Sequence, residues 1–130
     1  MTALLSSSTP LHVLVVDDDE KMAAVIVRAL ERVGYVCSIA GSGDAALWAV
    51  QEHVPDALVL DVMIPHPSGV ETCGYLRRHG FVGPVIVISG RSHPDDRAAA
   101  ARAGADRFLA KPFALAELVD TLDDEVRLRL

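Results

Sequence analysis

Aromatic residues are scarce: one Trp, two Tyr and three Phe make up 5% of the 130 residues. A core built from this chain is therefore aliphatic, drawn from Val, Leu, Ile and Ala, and the 51% hydrophobic content excludes wholesale disorder. Basic charge is short as well. Twelve Lys and Arg against 18 Asp and Glu leave a net charge of −6, so direct nucleic-acid binding, which needs a Lys/Arg face against phosphates, is not expected. Cysteine occurs only as Cys37 and Cys73, far apart and in no Cys-x-x-Cys spacing, the pattern of small core residues in a reducing compartment. No apolar run approaches the roughly 18 residues of a membrane span, and Met1 to Pro10 lacks a basic segment followed by an apolar stretch. The expectation is a cytoplasmic protein without membrane contact. At roughly 150 residues per domain, the length allows one domain.

What the chain holds instead is a rhythm. Residues 1–10, rich in Ser and Thr with one Pro, are expected to form a flexible N-terminal arm. Leu11 to Val16 is a β-branched apolar run that ends at Asp17-Asp18-Asp19, the pattern of a strand buried on both faces. From Glu20 to Val33 the residues Ala23, Ile26, Val27, Leu30 and Val33 recur at helical spacing until Gly34 stops them. The unit then repeats. Tyr35 to Ala40 reads as a strand, Ser42 caps a helix through Val50, Pro55 precedes the strand Ala57 to Leu60, and Asp61 ends it. Ser68 opens a helix to about His79, Pro84 introduces the strand Val85 to Ser89, and Pro94 opens an Ala-rich helix to Ala103. Arg107 to Ala110 is the last strand and Ala114 to about Arg127 the last helix, with Leu115, Leu118, Val119, Leu122 and Val126 on one stripe. Strict alternation of short strands and helices predicts an α/β fold with a parallel sheet covered on both faces. A closed eight-unit barrel needs about 250 residues, so the sheet is open and doubly wound.

In open parallel sheets ligands bind outside the carboxyl ends of the strands. The residues there are Asp17, Asp18 and Asp19 after the first strand, Asp61 after the third, Ser89 at the end of the fourth, and Lys111 with Pro112 after the fifth. Each has an ordinary reading: an Asp at a strand end caps the next helix, Ser89 is a turn hydroxyl, and Lys111 is a solvated charge. Caps alone give no reason for carboxylates, a hydroxyl and an ammonium to gather at one edge, each preceded by an apolar stem. Clustered carboxylates raise one another's pKa unless a cation intervenes. Mg²⁺ suits one or two carboxylates, a backbone carbonyl and a phosphate oxygen, while a lysine and a hydroxyl opposite suit the remaining phosphoryl oxygens. The constellation fits phosphoryl transfer onto a carboxylate.

Taken in order, the stretches LHVLVVDDDEKM, PDALVLDVMIPHPSG, VIVISGRS and GADRFLAKPF resemble the receiver domain of two-component response regulators, over Leu11 to about Arg127. The resemblance implies a flavodoxin-like (βα)5 sandwich, a five-stranded parallel sheet of order 2-1-3-4-5, and a receiver (phosphoacceptor) domain over residues 11–128. It also implies a sensor histidine kinase or phosphotransfer protein as the phosphoryl donor, and a regulator in place of a turnover enzyme. In this likeness Asp61 corresponds to the phosphoacceptor, Asp17 and Asp18 to the acidic pair that holds Mg²⁺ with Asp61, and the backbone carbonyl of Met63 to a further metal ligand. Ser89 and Lys111 correspond to the phosphoryl-contacting residues, and Ser89 and Phe108 to the switch pair. Met63 and Arg91 fall at positions that border the attacking water and tune the phosphoryl lifetime. A homodimer through the fourth helix, fifth strand and fifth helix is a further implication.

The chain departs from the family's usual Pro-Gly-Met-Asp-Gly in the loop after Asp61, where Pro65, His66, Pro67, Ser68 and Gly69 stand; the prolines predict a stiffer loop. His66 and His93 lie in loops near the predicted pocket and read as solvated histidines in preference to ligands of a softer metal. Met63 offers no strong hydrogen bond to a water, so slow self-dephosphorylation is expected. Among rival readings, a haloacid-dehalogenase-like Mg²⁺ phosphatase would use Asp17 in the motif Asp17-x-Asp19. Against it, Lys21 stands where Thr or Val is usual, and the acidic pair Asp95-Asp96 precedes Lys111 instead of following it. The acidic first loop would repel the phosphate of a flavodoxin-type FMN carrier, and a purely structural interaction domain leaves the gathered charges unused. No effector domain is expected within these residues, since only Leu128, Arg129 and Leu130 follow Arg127. The final helix lacks a Gly or Pro stop, as in a longer regulator cut after its receiver.

Overall fold

The β-branched runs and amphipathic stretches of the sequence form the expected alternating elements in a computed structural model, which describes residues 9–129. In chain order these are β1 (His12–Val16), α1 (Glu20–Glu31), β2 (Val36–Ala40), α2 (Gly43–Glu52), β3 (Ala57–Asp61), α3 (Gly69–Arg78), β4 (Val85–Ser89), α4 (Pro94–Ala103), β5 (Arg107–Ala110) and α5 (Leu115–Leu128). The strands make one parallel sheet in the order β2-β1-β3-β4-β5, the flavodoxin-like arrangement.

Successive strand residues point to opposite faces and so feed two cores. Val13, Val15, Val59, Ile86 and Ile88 pack against Ala23, Ile26 and Leu30 of α1 and Leu118, Leu122 and Val126 of α5. Leu14, Val16, Leu58, Leu60, Val85 and Val87 face the other way, toward Ala46 and Val50 of α2, Cys73 and Leu76 of α3 and Ala100 of α4. Burial of one such Val, Leu or Ile side chain contributes roughly 1.5–3 kcal/mol. Both faces of β1, β3 and β4 are covered, which is why these strands read as unbroken apolar runs.

Polar caps start the helices next to the loops of interest. Asp19 accepts hydrogen bonds from the backbone N–H of Lys21 (3.0 Å) and Met22 (3.1 Å) at the start of α1. Ser42 accepts from Ala45 N at 3.0 Å ahead of α2. Ser68 and Glu71 form a reciprocal capping box at 3.2 and 3.0 Å ahead of α3.

Differences from the sequence reading fall at element ends. Leu11 and Tyr35 lie one residue outside β1 and β2, Val33 lies past the end of α1, and Asp61 is the last residue of β3 instead of the first after it. Residues 1–8 of the expected arm lie outside the described residues, while Thr9 and Pro10 are exposed. Cys37 and Cys73 are free thiols, the first half-buried and the second buried, and burial pushes the Cys37 thiol up to about 11. Among the described residues no helix is long and apolar enough to cross a membrane.

Candidate functional site

Parallel pairing delivers the carboxyl ends of the strands to one edge. Val16 stands beside Leu60, Asp61 beside Ile88, and Ser89 beside Ala110. Backbone bonds continue one residue past the strands: Asp17 N donates to Ala40 O at 3.0 Å, Val62 N to Ile88 O at 3.0 Å and Lys111 N to Ser89 O at 2.8 Å. The loops that carry the polar residues therefore begin in fixed places. Gly69 lets α3 start against the end of β3, because a Cβ there would lie 2.3 Å from the Asp61 carbonyl oxygen. Gly43 does the same for the proline loop: a Cβ would lie 2.0 Å from Pro67 O, and Gly43 N donates to Pro65 O at 3.0 Å.

Of the expected site residues, Asp17, Asp18 and Asp61 offer carboxylate oxygens that all lie within 4.8 Å of one another. Asp17 and Asp61 are buried at 2% and 3% exposure, and Asp18 is exposed. Asp17 Oδ1 accepts from Asp19 N at 2.9 Å, and Asp61 Oδ1 accepts from Met63 N at 2.9 Å. Lys111 Nζ donates to Asp61 Oδ2 at 2.8 Å and lies 3.7 Å from Asp17 Oδ2, beyond hydrogen-bond reach. Asp17 Oδ2 is thus buried without a hydrogen-bond partner. Asp19, by contrast, turns away to cap α1, so the run of three adjacent carboxylates divides into two pocket residues and one cap.

The electrostatics follow from this placement. Burial raises the Asp17 carboxyl above its ordinary range and the neighbouring Asp61 adds to the rise, against the Asp19 N–H and Lys111. Burial by itself lowers the pKa of Lys111, but the hydrogen bond and charge of Asp61, with the charge of Asp17, outweigh it and hold the ammonium above its usual value. One ammonium faces the two buried carboxylates, and the exposed Asp18 adds a third beside them. A buried carboxylate oxygen with no donor is costly, and an all-oxygen donor set of this kind suits a hard divalent cation such as Mg²⁺.

The remaining expected residues line the same edge less uniformly. Ser89 is fully buried and its Oγ accepts from Arg91 N at 2.9 Å, while the Arg91 guanidinium reaches Asp96 on α4 at 3.4 Å. The Met63 side chain is 53% exposed. Phe108 is partly buried against the α2–α3–α4 core, and the guanidinium of Arg97 stands 4.6 Å from its ring centroid. Sequence reasoning weighed Asp96 only as part of the acidic pair of the phosphatase alternative and missed Arg97, which belongs to no motif or apolar stripe. His66 is exposed, and His93 is an exposed cap whose Nδ1 accepts from Asp95 N at 3.1 Å; neither joins the carboxylate cluster.

Residues 13–123 match the family model described as the response regulator receiver domain. Response regulator MprA of Mycobacterium sp. (strain KMS) is 43% identical over 110 residues, which cover 85% of this chain and 48% of that protein. The chain therefore spans about half the length of the curated relatives it matches. Among solved structures, the receiver domain of the Francisella response regulator 1452 has a TM-score of 0.87 at 29% identity, over 92% of this chain and 99% of that one. The CheY-like receiver domain protein of Methanospirillum hungatei JF-1, with a TM-score of 0.89 at 21% identity over 93% and 97% of the two chains, shares the fold. These likenesses do not favour the haloacid-dehalogenase alternative.

Proposed function

The chain belongs to the response regulator receiver domain family of two-component signalling switches, and on that premise we propose that Asp61 accepts a phosphoryl group from the phosphohistidine of a sensor histidine kinase or phosphotransfer protein. The observation that carries this reading is the gathering of Asp17, Asp18 and Asp61 within 4.8 Å, with Lys111 on Asp61 at 2.8 Å. An Asp61 oxygen attacks phosphorus; the O–P bond forms as the P–N bond to the donor imidazole breaks, and the product is a mixed anhydride. Asp61 is oriented before the donor arrives, because Met63 N–H holds its Oδ1. Lys111 leaves Asp61 Oδ2 for a phosphoryl oxygen, whose negative charge replaces that of the carboxylate and keeps the ammonium protonated.

Asp17, Asp18, Asp61 and the Met63 carbonyl are the residues that would hold Mg²⁺, which when bound neutralises charge on the transferring group. The Ser89 hydroxyl turns toward the phosphoryl group, and the Phe108 ring moves into the space it leaves. The α4-β5-α5 face then repacks as a population shift between two packings, and serves as output and homodimer surface. Met63 and Arg91 border the water that ends the signal. The Met63 thioether, a weak acceptor, orients that water poorly, so the phosphoryl group is lost slowly. Residues 11–128 act as the receiver unit, alongside their donor in the cytoplasm.

The test is uptake of acid-labile phosphate from acetyl phosphate with Mg²⁺. The unaltered chain takes up phosphate and the Asp61→Asn variant takes up none; retained uptake in that variant contradicts the assignment. Turnover of phosphate esters abolished by Asp17→Asn but not by Asp61→Asn would favour the phosphatase reading in its place.

A further inference from the structure

Arg97 stands on the first turn of α4, an exposed residue in a helix otherwise rich in alanine, with its guanidinium carbon 4.6 Å from the centroid of the Phe108 ring on β5. The residue before it, Asp96, holds Arg91 of the β4–α4 loop at 3.4 Å. Two adjacent side chains thus tie the first turn of α4 both to the loop that follows Ser89 and to β5. Neither tie serves the apolar core, whose contribution from this helix is Ala100 and, at its edge, Ala103.

We infer that Arg97 is a positioning residue that holds the Phe108 ring in its outward, partly exposed place and so sets the threshold of the switch; this rests on the function proposed above. A cation is attracted to the negative face of an aromatic ring. Ser89 is fully buried at the end of β4 and Phe108 on the neighbouring strand β5 is only partly buried, so a ring that follows the vacated hydroxyl leaves its outer place for a more buried one. Arg97 is on the solvent side. A ring that moves inward withdraws its face from the guanidinium, whose reach is limited by its own α4 backbone. The contact therefore stabilises the outward packing and is lost in the inward one. Phe108 carries no hydroxyl, so a hydrogen bond from its own side chain cannot supply the restraint, and the guanidinium acts on the ring face. An exposed pair of this kind biases the two packings by about two- to fivefold.

The test titrates beryllofluoride, a phosphoryl mimic, into the full chain with Mg²⁺ and follows the backbone amide signals of Met63 and Lys111 by NMR. Arg97→Gln should bind about two- to fivefold more tightly than the unaltered chain, and Arg97→Lys, which keeps the cation, should stay near it. In a Phe108→Leu background, which removes the ring face, Arg97→Gln should change nothing. Unchanged or weaker binding by Arg97→Gln overturns the inference, as does an equal gain in the Phe108→Leu background, which would mark a general charge effect. If beryllofluoride leaves the unaltered chain's signals unmoved, or moves those of Asp61→Asn equally, the phosphoacceptor reading fails and the inference with it. Binding by the unaltered chain alone, with no effect of Arg97→Gln, overturns only the inference.

Discussion

At the amino ends of β4 and β5, Asp106 is surrounded by donors: its Oδ2 accepts from Val85 N at 2.8 Å and Arg77 Nη2 at 2.9 Å, and its Oδ1 from Arg129 Nη2 at 3.0 Å. Arg77 spends its other donors on the carbonyls of Gly104 (3.0 Å), Phe81 (2.9 Å) and Gly83 (2.7 Å). At the carboxyl end of the same sheet, Asp17 and Asp61 share Lys111, Asp18 adds a third carboxylate beside them, and Asp17 Oδ2 accepts no hydrogen bond. One set of charges is closed on itself and joins α3, β4, β5 and the end of α5. The other is short of positive charge, a condition that costs the resting fold something and that, on the function proposed above, a cation and a phosphoryl group would use. Stitching serves stability, and incompleteness serves chemistry.

Removing charge at the two ends should therefore act in opposite directions. Arg77→Ala leaves Asp106 short of a donor and strips three carbonyls of theirs. It should destabilise the chain by about 3 kcal/mol, read as a lower urea midpoint. Asp17→Asn should do the reverse at neutral pH without metal, stabilising by about 1 kcal/mol. Burial lifts the Asp17 pKa above its unfolded value, so the ionised form costs stability above that raised pKa, and the cost fades as pH falls through it. The gain from Asp17→Asn should accordingly shrink in acid. A destabilising Asp17→Asn would break the comparison.

Mg²⁺ sharpens the contrast further. It should raise the urea midpoint of the unaltered chain and of Arg77→Ala by similar amounts, and that of Asp17→Asn much less. Equal shifts in all three would place the cation elsewhere. The smallest effect concerns lifetime: Met63→Asn, which supplies a hydrogen-bonding side chain beside the acyl phosphate, should speed its loss by about two- to tenfold. The check is the decay of acid-labile phosphate after the donor is removed; an unchanged or slower decay contradicts the role given to Met63.

The two ends also differ in how plainly the sequence announces them. The carboxyl edge is legible because each of its residues follows an apolar run, and parallel strands carry their ends to one place; Val16-Asp17 and Leu60-Asp61 show both parts of that signal. Which of three neighbouring carboxylates face Asp61 is not legible from composition or spacing. The turn decides it, sending Asp19 back to cap α1 while Asp17 and Asp18 stay with the pocket. The amino edge is silent. Arg77 reads as one of two basic residues at a helix end, yet its partners Gly83, Gly104 and Asp106 lie 6, 27 and 29 residues along the chain. The Arg97 contact with Phe108 is hidden for the same reason, since it depends on how α4 lies against β5 and not on any local period.

The central claim is that the unsatisfied carboxyl edge takes a phosphoryl group on Asp61. Borohydride reduction of the chain after incubation with acetyl phosphate and Mg²⁺, followed by peptide mass spectrometry, tests it most directly, because reduction of an aspartyl phosphate leaves homoserine at the modified position. The account predicts homoserine at position 61 and at no other; homoserine at position 17 or 18, or phosphate uptake that leaves position 61 unreduced, would contradict it.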